Sequence, residues 1–243
     1  MRSIKQLKNF KNKTVLVRVD FNVPIKNGKV LDDFRIRQAL PTINFLIKKG
    51  AKIILITHLG TDGSESLTPV ISHFFKISKC SKEQVSFFEN VRKFPAEMKN
   101  DLNFTKKLAK LGDIYVNEAF SVSHREHASI VNLPKLLASY AGLQMEAEIK
   151  NLKKVMNNSK HPFLFILGGA KFSTKMPLIK KYLKLADHIF IGGALLNDFL
   201  KAKGYEVGQS LVDGSNLNGD DDLKIATYPV KIVEDEVFVG FLE

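Results

Sequence analysis

Four side chains in the first half of the chain have the chemistry needed to hold a phosphorylated anion. They are Arg35, His58, Arg92 and Arg125. The planar guanidinium of arginine offers N–H donors in a fork that matches phosphate and carboxylate oxygens. His124 and His127 flank Arg125 in the sequence, and taken alone they favour surface-loop or packing histidines. No cysteine or carboxylate spacing beside them indicates a metal site, so none is predicted.

Two glycine pairs farther along the chain could bring backbone N–H groups close to a phosphate. The first is Gly168-Gly169-Ala170-Lys171, followed by Lys175, and the second is Gly192-Gly193. Glycine permits a close approach, and the N-terminus of a following helix adds partial positive charge. The pattern differs from the Walker motif G-x-x-x-x-G-K-[ST]. A glycine pair after a strand is also typical of a plain tight turn.

Short apolar runs alternating with longer amphipathic segments predict the elements that position these residues. Strands are predicted at 14–21, 51–57, 84–89, 113–119, 163–167, 188–191, 224–228 and 230–233. Helices are predicted at 35–49, 67–76, 104–111, 134–140, 143–158, 175–185 and 195–203, a loop at 212–222 and a tail at 237–242. Continuous apolar strands between helices are typical of a parallel sheet covered on both faces. The predicted fold class is therefore α/β, with a doubly wound, Rossmann-like parallel sheet.

Polar or charged residues follow five of the predicted strands. The segments are Asp20-Phe21-Asn22, His58-Leu59-Gly60, Glu89-Asn90-Val91-Arg92, Glu118-Ala119-Phe120 and Gly168-Gly169-Ala170-Lys171. Turns and helix caps explain any one of them about as well as a binding site does. Ligands bind at the carboxyl ends of parallel strands, and five such ends in one sheet favour a site. We expect Arg35, Arg92 and Arg125 to meet there.

Blocks of the sequence resemble, in order, those of phosphoglycerate kinases. They are VLVRVDFNVP at 15–24, DFRIR at 33–37 with ALPTI at 39–43, THLG at 57–60 and ENVR at 89–92. NEAF at 117–120 with His124-Arg125, GGAK at 168–171 and FLKAKG at 199–204 continue the series. The similarity extends over residues 1 to about 212.

The resemblance implies a glycolytic kinase that transfers a phosphoryl group reversibly between 1,3-bisphosphoglycerate with ADP and 3-phosphoglycerate with ATP. It implies a phosphoglycerate-binding N-terminal domain at 1–142, an interdomain helix at 143–160 and a partial nucleotide-binding C-terminal domain at 161–243. The implied substrate-binding residues are Asp20, Phe21, Asn22, Arg35, His58, Leu59, Gly60, Arg92 and Arg125. Those implied for ATP or ADP are Gly168, Gly169, Lys171, Lys175, Gly192 and Gly193. Arg35 and Lys171 are implied as catalytic, since phosphoryl transfer depends on cations around the moving group.

The sequence departs from the family's pattern at several points. Thr61 replaces an arginine of the basic patch, for which Lys93 could compensate, Glu118 replaces an aspartate and Ala194 a glycine. The segment between Gly60 and Glu89 is shorter than in typical members. The W-x-G-P-x-G block and the Gly-Gly-Gly-Asp-Thr loop, whose aspartate binds Mg²⁺, do not occur. We therefore expect an incomplete second α/β domain of marginal stability and negligible catalysis by this chain alone, unless a complementing C-terminal chain supplies the remainder.

The amino-acid composition limits the classes of partner and function that are compatible with the sequence. The formal net charge is +12, which suits phosphorylated substrates, nucleic acid or an anionic membrane. No nucleic-acid motif or interleaved aromatic platform accompanies it, and no apolar run approaches the ~20 residues that cross a bilayer. One cysteine, Cys80, and the lack of a signal-peptide pattern predict a cytoplasmic protein. Neither nucleic-acid nor membrane partners are expected. The family resemblance implies a monomer. A non-catalytic anion-binding fragment or pseudoenzyme is the alternative to a kinase.

Overall fold

The computed structural model describes residues 2–7, 9–157, 159–171, 173 and 175–213, together with the backbone of 230–233 and 236–239. The chain divides into two units, Met1–Lys153 and Lys154–Glu243. No helix of the described residues is both long enough and apolar enough to cross a membrane.

The first unit is built on a five-stranded parallel sheet flanked by helices. The strands of this unit, five of them in the large sheet, are β1 (Thr14–Arg18), β2 (Ile25–Lys26), β3 (Lys29–Val30), β4 (Lys52–Ile56), β5 (Val85–Phe87), β6 (Ile114–Asn117) and β7 (Ala138–Ala141). Its helices are α1 (Phe34–Lys48), α2 (Thr68–Ser78), α3 (Pro95–Met98), α4 (Leu102–Ala109), α5 (Ala128–Val131) and α6 (Leu133–Leu136), followed by α7 (Leu143–Asn157), which crosses into the second unit. Short 3₁₀ turns lie at Ile4–Gln6, Val91–Lys93 and Phe120–Val122. Strands β2 and β3 form a separate antiparallel hairpin.

The order of the large sheet is β5-β4-β1-β6-β7, so the chain winds outward from β1 in both directions. Val15 lies beside Ile53 of β4 on one side and Ile114 of β6 on the other, all in parallel register. The chain continues from β1 to β4 on one side and from β6 to β7 on the other side. Because these two connections diverge, a crevice opens between the carboxyl ends of β1 and β6. Asp20 follows β1 and Glu118 follows β6, so both lie beside this crevice.

Alternation along β1 sends side chains into two cores, one on each face of the sheet. Val15 and Val17 pack in the larger core with Ile36 and Ile43 of α1. Leu16 packs on the opposite face, in a core that includes Tyr115. Both faces are covered, which is why the strand is a continuous apolar run.

The described part of the second unit contains β8 (Leu164–Leu167), α8 (Met176–Tyr182), β9 (His188–Ile191), α9 (Leu195–Ala202), β10 (Val230–Val233) and β11 (Glu236–Val239). Strands β8 and β9 pair in parallel, and β10 and β11 pair antiparallel. A small core joins Leu167 and Ile191 to Ile179 of α8 and Leu195 of α9.

The predicted α/β class with its doubly wound parallel sheet is confirmed, and three details of the prediction are wrong. The helix predicted at 134–140 ends at Leu136, because Ala138–Ala141 pairs with β6 as strand β7. The tail predicted at 237–242 overlaps strand Glu236–Val239, which pairs with β10. The five segments do not share one sheet, since Gly168-Gly169-Ala170-Lys171 follows β8 in a separate sheet. The strand predicted at 224–228 and most of the loop at 212–222 lie outside the described residues.

Candidate functional site

Asp20 is the acidic centre of the carboxyl-terminal edge of the large sheet. Its Oδ2 accepts a hydrogen bond at 2.6 Å from Nη1 of Arg35, in the first turn of α1. The same oxygen accepts a hydrogen bond from the Ser121 hydroxyl, and Oδ1 accepts one from the backbone N–H of Asn22 at 3.2 Å. Asp20 is buried, whereas 49% of the Arg35 side chain is exposed. The guanidinium therefore keeps donors available to a ligand while the carboxylate fixes its direction.

His58 follows β4 and lies beside Asp20, with 3.9 Å between His58 Nδ1 and Asp20 Oδ1. Burial, and then the cations of Arg18 and Arg92, lower the pKa of the His58 imidazole to about 3. Asp20 acts in the opposite direction, and Arg125 adds to the lowering. His58 is therefore a neutral imidazole at physiological pH, which makes it a hydrogen-bond partner and not a charge.

Arg92 lies in the 3₁₀ turn after β5 and is held against the end of β4. Its Nη1 donates to the carbonyl oxygen of Gly60, whose own N–H donates to Oδ1 of Asn22 at 3.0 Å. Asn90, fully buried, accepts from the backbone N–H of Leu59 at 3.3 Å and of Arg92 at 3.2 Å. Among the described residues, Nε of Arg92 is buried without a hydrogen-bond partner. These contacts join the ends of β1, β4 and β5.

Arg125 is the fourth member of the group that we call the cationic edge, which consists of three arginines and the neutral His58: Arg35, His58, Arg92 and Arg125. Burial lowers the pKa of Arg92, and the nearby charge of Arg125 lowers it further. Arg125 also contributes to the lowered pKa of His58. Mutual repulsion of this kind requires the side chains to be close in a poorly solvated setting. The structure therefore places Arg92 and Arg125 near His58, and Asp20 links this group to Arg35. The combined positive charge of the arginines suits a phosphorylated anion.

A buried layer below the cationic edge was missed by the sequence analysis. Arg18, the last residue of β1, is 1% exposed and donates from Nε to the Ser129 hydroxyl at 2.9 Å. Ser129 donates from Oγ to Glu97 Oε1 at 2.6 Å and from its backbone N–H to Oε2 at 2.9 Å. Glu97 is fully buried and lies 4.0 Å from His127 Nδ1. Its carboxylate balances charge beneath a strongly basic surface.

His127 is the second histidine that stays neutral in this region. Burial is the largest cause that lowers the pKa of its imidazole to about 4, and Arg92, Arg125, Arg18 and His124 contribute in the same direction. The expectation of an ordinary packing or loop histidine therefore fits His127 only in part, because it lies within the field of the cationic edge.

A cavity of about 190 Å³ opens beside Asp20 and Arg35. Its other lining residues are Phe34, Gln38, Ala39, Glu118, Phe120, Ser121, Gln144 and Glu148. Glu118 accepts hydrogen bonds from the Thr42 hydroxyl and from the backbone N–H groups of Gln144 and Met145, at 3.1 Å each. Burial raises the pKa of Glu118. This carboxylate therefore connects the end of β6 to the first turn of α7.

Some predicted residues do not present their side chains to this site. The side chains of Phe21 and Leu59 are buried in the larger core, so only their backbone groups could face a ligand. Lys93 does not replace the arginine absent at Thr61 in this structure, because its Nζ lies 3.1 Å from Glu89 Oε2 in a surface ion pair.

In the second unit, the two glycine pairs meet at the carboxyl ends of β8 and β9. Gly169 and Gly193 have φ of +134° and +65°, and a Cβ at Gly193 would lie 3.6 Å from the backbone N of Gly169. Lys175 is the residue before α8, and its Cε would lie 3.8 Å from a Cβ at Gly169. Lys171 is exposed on the same loop, while Gly168 precedes Gly169 and Gly192 precedes Gly193. Bare backbone and a lysine at a strand end suit the phosphates of a nucleotide.

The described residues do not fit a resident metal ion. They contain no group of three or more histidine, cysteine, aspartate or glutamate side chains placed to hold one. A Mg²⁺ ion that accompanies a nucleotide would therefore depend chiefly on the nucleotide's phosphates for ligands within the part of the chain that the structure describes.

Comparison with known sequences returns one family. Its sequence model, described as phosphoglycerate kinase, matches residues 4–78 and 73–235. The phosphoglycerate kinase of Dictyoglomus turgidum is 42% identical over an alignment of 234 residues, and the match covers 86% of this chain and 59% of that protein. That of Pseudothermotoga lettingae is 44% identical over 233 residues, covering 85% and 59% respectively.

Solved structures give the same result. Phosphoglycerate kinase from Coxiella burnetii superposes with a TM-score of 0.74 at 35% identity, over 87% of this chain and 59% of that one. The enzyme from Pyrococcus horikoshii superposes with a TM-score of 0.79 at 30% identity, over 86% and 59%. The chain thus spans about three fifths of the length of the relatives it matches.

Proposed function

The chain belongs to the phosphoglycerate kinase family, and from that premise we propose that its cationic edge binds 3-phosphoglycerate. The reaction that we infer is reversible phosphoryl transfer between 1,3-bisphosphoglycerate with ADP and 3-phosphoglycerate with ATP, a step of glycolysis. The observation that carries the proposal is the cationic edge itself, gathered at the carboxyl ends of parallel strands where ligands bind. A purely anion-binding role without catalysis is not favoured by the family match.

Each member of the edge has a distinct part in this proposal. Arg92 and Arg125 supply charge and forked donors to the phosphate, and His58 supplies one neutral donor or acceptor. Asp20 and Asn22 face the glycerate end, where hydroxyl and carboxylate groups need both acceptors and donors. Arg35 lies at the exposed rim, held by Asp20, and would contact the substrate and steady the phosphoryl group during transfer.

The second unit would hold the nucleotide. Gly168, Gly169, Gly192 and Gly193 present backbone to the phosphates, and Lys171 and Lys175 add positive charge around the group in transfer. Magnesium, when bound with the nucleotide, neutralises the developing charge on the phosphate oxygens.

Turnover by these 243 residues alone stays predicted to be negligible, because the family's Gly-Gly-Gly-Asp-Thr loop is not among them. An assay for ATP formation from 1,3-bisphosphoglycerate and ADP checks this, and robust turnover would contradict it. A complementing C-terminal chain, added in the same assay, is expected to restore activity.

The cellular setting is also a proposal. Cys80 is the sole cysteine and is free, which supports a reducing compartment such as the cytoplasm. Arg35, Arg92 and Arg125 lie at one edge of the sheet, which supports a small phosphorylated metabolite as the ligand. The family resemblance implies a monomer without nucleic-acid or membrane partners.

Ligand-dependent thermal stability tests the binding half of the proposal. A ligand that binds only the folded state raises the melting temperature, by an amount that grows with its concentration. We expect 3-phosphoglycerate to raise it and glycerol, which lacks both anionic groups, to leave it unchanged. The increase should be lost in Arg125→Ala, and an increase of equal size in that variant would contradict the assignment.

A further inference from the structure

Arg18 makes three separate contacts from inside the sheet, and one of them is to His58. Its Nε donates to Ser129 Oγ at 2.9 Å, and Nη1 donates to the Val19 carbonyl oxygen at 2.5 Å. Its Nη2 lies 3.4 Å from Nδ1 of His58. Both residues are buried, so water does not compete strongly for these groups.

The contact between Arg18 and His58 has only one chemically allowed direction. A guanidinium carries donors and no acceptor, so Nδ1 of the imidazole must be the acceptor. In a neutral imidazole an accepting Nδ1 leaves the proton on Nε2.

Asp20 is the neighbour that could favour the opposite tautomer, by accepting a hydrogen bond from a protonated Nδ1. Its Oδ1 is 3.9 Å from His58 Nδ1, beyond hydrogen-bond range. Asp20 is also already supplied with donors, from Asn22, Arg35 and Ser121. The geometry therefore favours Arg18 as the partner of Nδ1.

Glu97 and Ser129 keep Arg18 in this position. Ser129 accepts a hydrogen bond from Arg18 Nε and donates one from its own hydroxyl to Glu97 Oε1 at 2.6 Å, which leaves the Ser129 side chain little rotational freedom. The negative charge of Glu97 also favours the charged form of Arg18, against the burial that lowers the pKa of this arginine.

We propose that Arg18 is a positioning residue that fixes His58 as a neutral imidazole with its proton on Nε2. His58 then presents a single N–H donor, across the physiological pH range, to an oxygen of the bound anion. The tautomer is a property of the ligand-free protein, and only the identity of the anion, 3-phosphoglycerate, rests on the function proposed above.

The charged groups around His58 all bear on this state. Arg18 of β1, Arg92 of the turn after β5 and Arg125 disfavour the imidazolium, and Asp20 favours it. Burial is the largest cause of the low pKa of His58, about 3, so the ring remains neutral across the physiological range.

Nitrogen NMR of protein labelled with ¹⁵N-histidine tests the proposal in the wild-type chain. We expect His58 to show a protonated Nε2 and an unprotonated Nδ1 from pH 5 to pH 8, without titrating. A proton on Nδ1, or titration near the ordinary pKa of ~6.5, would overturn it.

Addition of 3-phosphoglycerate should then shift the Nε2 resonance of His58 more than the Nδ1 resonance. Absence of any shift would count against the proposed function while leaving the tautomer result intact.

Arg18→Met separates positioning from simple structural support, because methionine fills the space without donating. We expect both tautomers of His58 in this variant, and a pKa of His58 raised by about 1–3 pH units through loss of a neighbouring cation. Arg18→Met combined with Glu97→Gln avoids a buried uncompensated carboxylate if the single variant does not fold. Arg37→Gln, which removes an exposed cation paired with Asp33, is the matched control and should leave His58 unchanged. An unaltered His58 tautomer in folded Arg18→Met protein would refute the role of Arg18.

Discussion

Nη1 of Arg35 donates to Oδ2 of Asp20 across 2.6 Å and so ties the first turn of α1 to the end of β1. Asp20 is 8% exposed and Arg35 49%, so the pair is buried at its acidic end and open to solvent at its basic end. The consequence is a cation whose direction is fixed by the fold while part of its donor set is free for a ligand. His58 and Arg92 are held in a similar manner, by contacts to Arg18 at the end of β1 and to the Gly60 carbonyl after β4.

Gly63 keeps the loop after β4 in contact with the turn that carries Arg92. Its φ is +82°, and a Cβ there would overlap the backbone carbonyl carbon of Arg92. We expect Gly63→Ala to lower affinity for 3-phosphoglycerate and to destabilise the protein by about 1–3 kcal/mol through overpacking, beyond the ~1–2 kcal/mol cost of the left-handed backbone. Urea denaturation and calorimetric titration measure the two effects.

Gly28→Ala is the matched control for Gly63→Ala. Gly28 has a φ of +70° in the turn between β2 and β3, and nothing lies within 4 Å of a Cβ built there. It should therefore show only the backbone cost and bind 3-phosphoglycerate normally. Equal losses of stability in the two variants would show that the packing of Gly63 on Arg92 contributes nothing.

Glu97 is the buried carboxylate under the cationic edge, and it is linked to Arg18 through Ser129. We expect Glu97→Gln to destabilise the protein by about 1–3 kcal/mol, because Ser129 loses a charged acceptor for its hydroxyl and its backbone N–H. Glu89→Gln, which breaks the exposed pair with Lys93, should cost less than about 1 kcal/mol. Chemical denaturation followed by circular dichroism would compare them, and a loss below about 1 kcal/mol for Glu97→Gln would contradict the assigned role.

The lowered pKa of Asp33 predicts how the stability of the protein changes at acidic pH. Hydrogen bonds from Arg37 and then His73 lower the pKa of Asp33 from 3.8 to about 2. Because the folded-state pKa is below the unfolded one, the stabilisation is present above about pH 4 and is lost as the pH falls toward about 2. Asp33→Asn should therefore lower the melting temperature slightly at pH 7, with a difference from wild type that shrinks on acidification. A difference that grows as the pH falls would be inconsistent with this ionisation.

Thr61 is exposed directly after Gly60, whose carbonyl accepts from Arg92. The family resemblance implies an arginine at this position, and a charge-assisted hydrogen bond contributes about 1.5–3 kcal/mol. We expect Thr61→Arg to tighten binding of 3-phosphoglycerate by roughly tenfold to a hundredfold. Thr61→Gln, which adds length without charge, should give much less, and equal gains in the two variants would exclude an electrostatic cause.

Much of the fold follows from the sequence because strands buried on both faces are unbroken apolar runs. Strand β1 is such a case, since four of its five residues, Val15 to Arg18, are buried. Strand Ala138–Ala141 could not be found in this way, since Ala-Ser-Tyr-Ala carries little apolar character and becomes a strand by pairing with β6. The short helix α6 before it, Leu133–Leu136, has a sequence that resembles the start of a longer helix.

The site residues at the strand ends could be predicted from the sequence, whereas the buried residues beneath the cationic edge could not. Arg35, His58, Arg92 and Arg125 were found because polar residues end apolar runs at positions that topology brings together. Arg18 gave one usable signal, a charged residue between Val17 and Val19 in a buried strand, which implies a buried partner. Glu97 and Ser129 gave none, because their short helices place ordinary polar residues in the interior only through tertiary packing.

Calorimetric titration of the chain with 3-phosphoglycerate, for wild type, Arg35→Ala and Arg37→Ala, tests the central claim most directly. Arg35 and Arg37 lie in the same helix, but Arg35 pairs with Asp20 at the cationic edge and Arg37 with Asp33 away from it. We predict saturable binding at one site per chain, weakened roughly tenfold to a hundredfold in Arg35→Ala and unchanged in Arg37→Ala. Absence of saturable binding by the wild type, or equal weakening in both variants, would contradict the account.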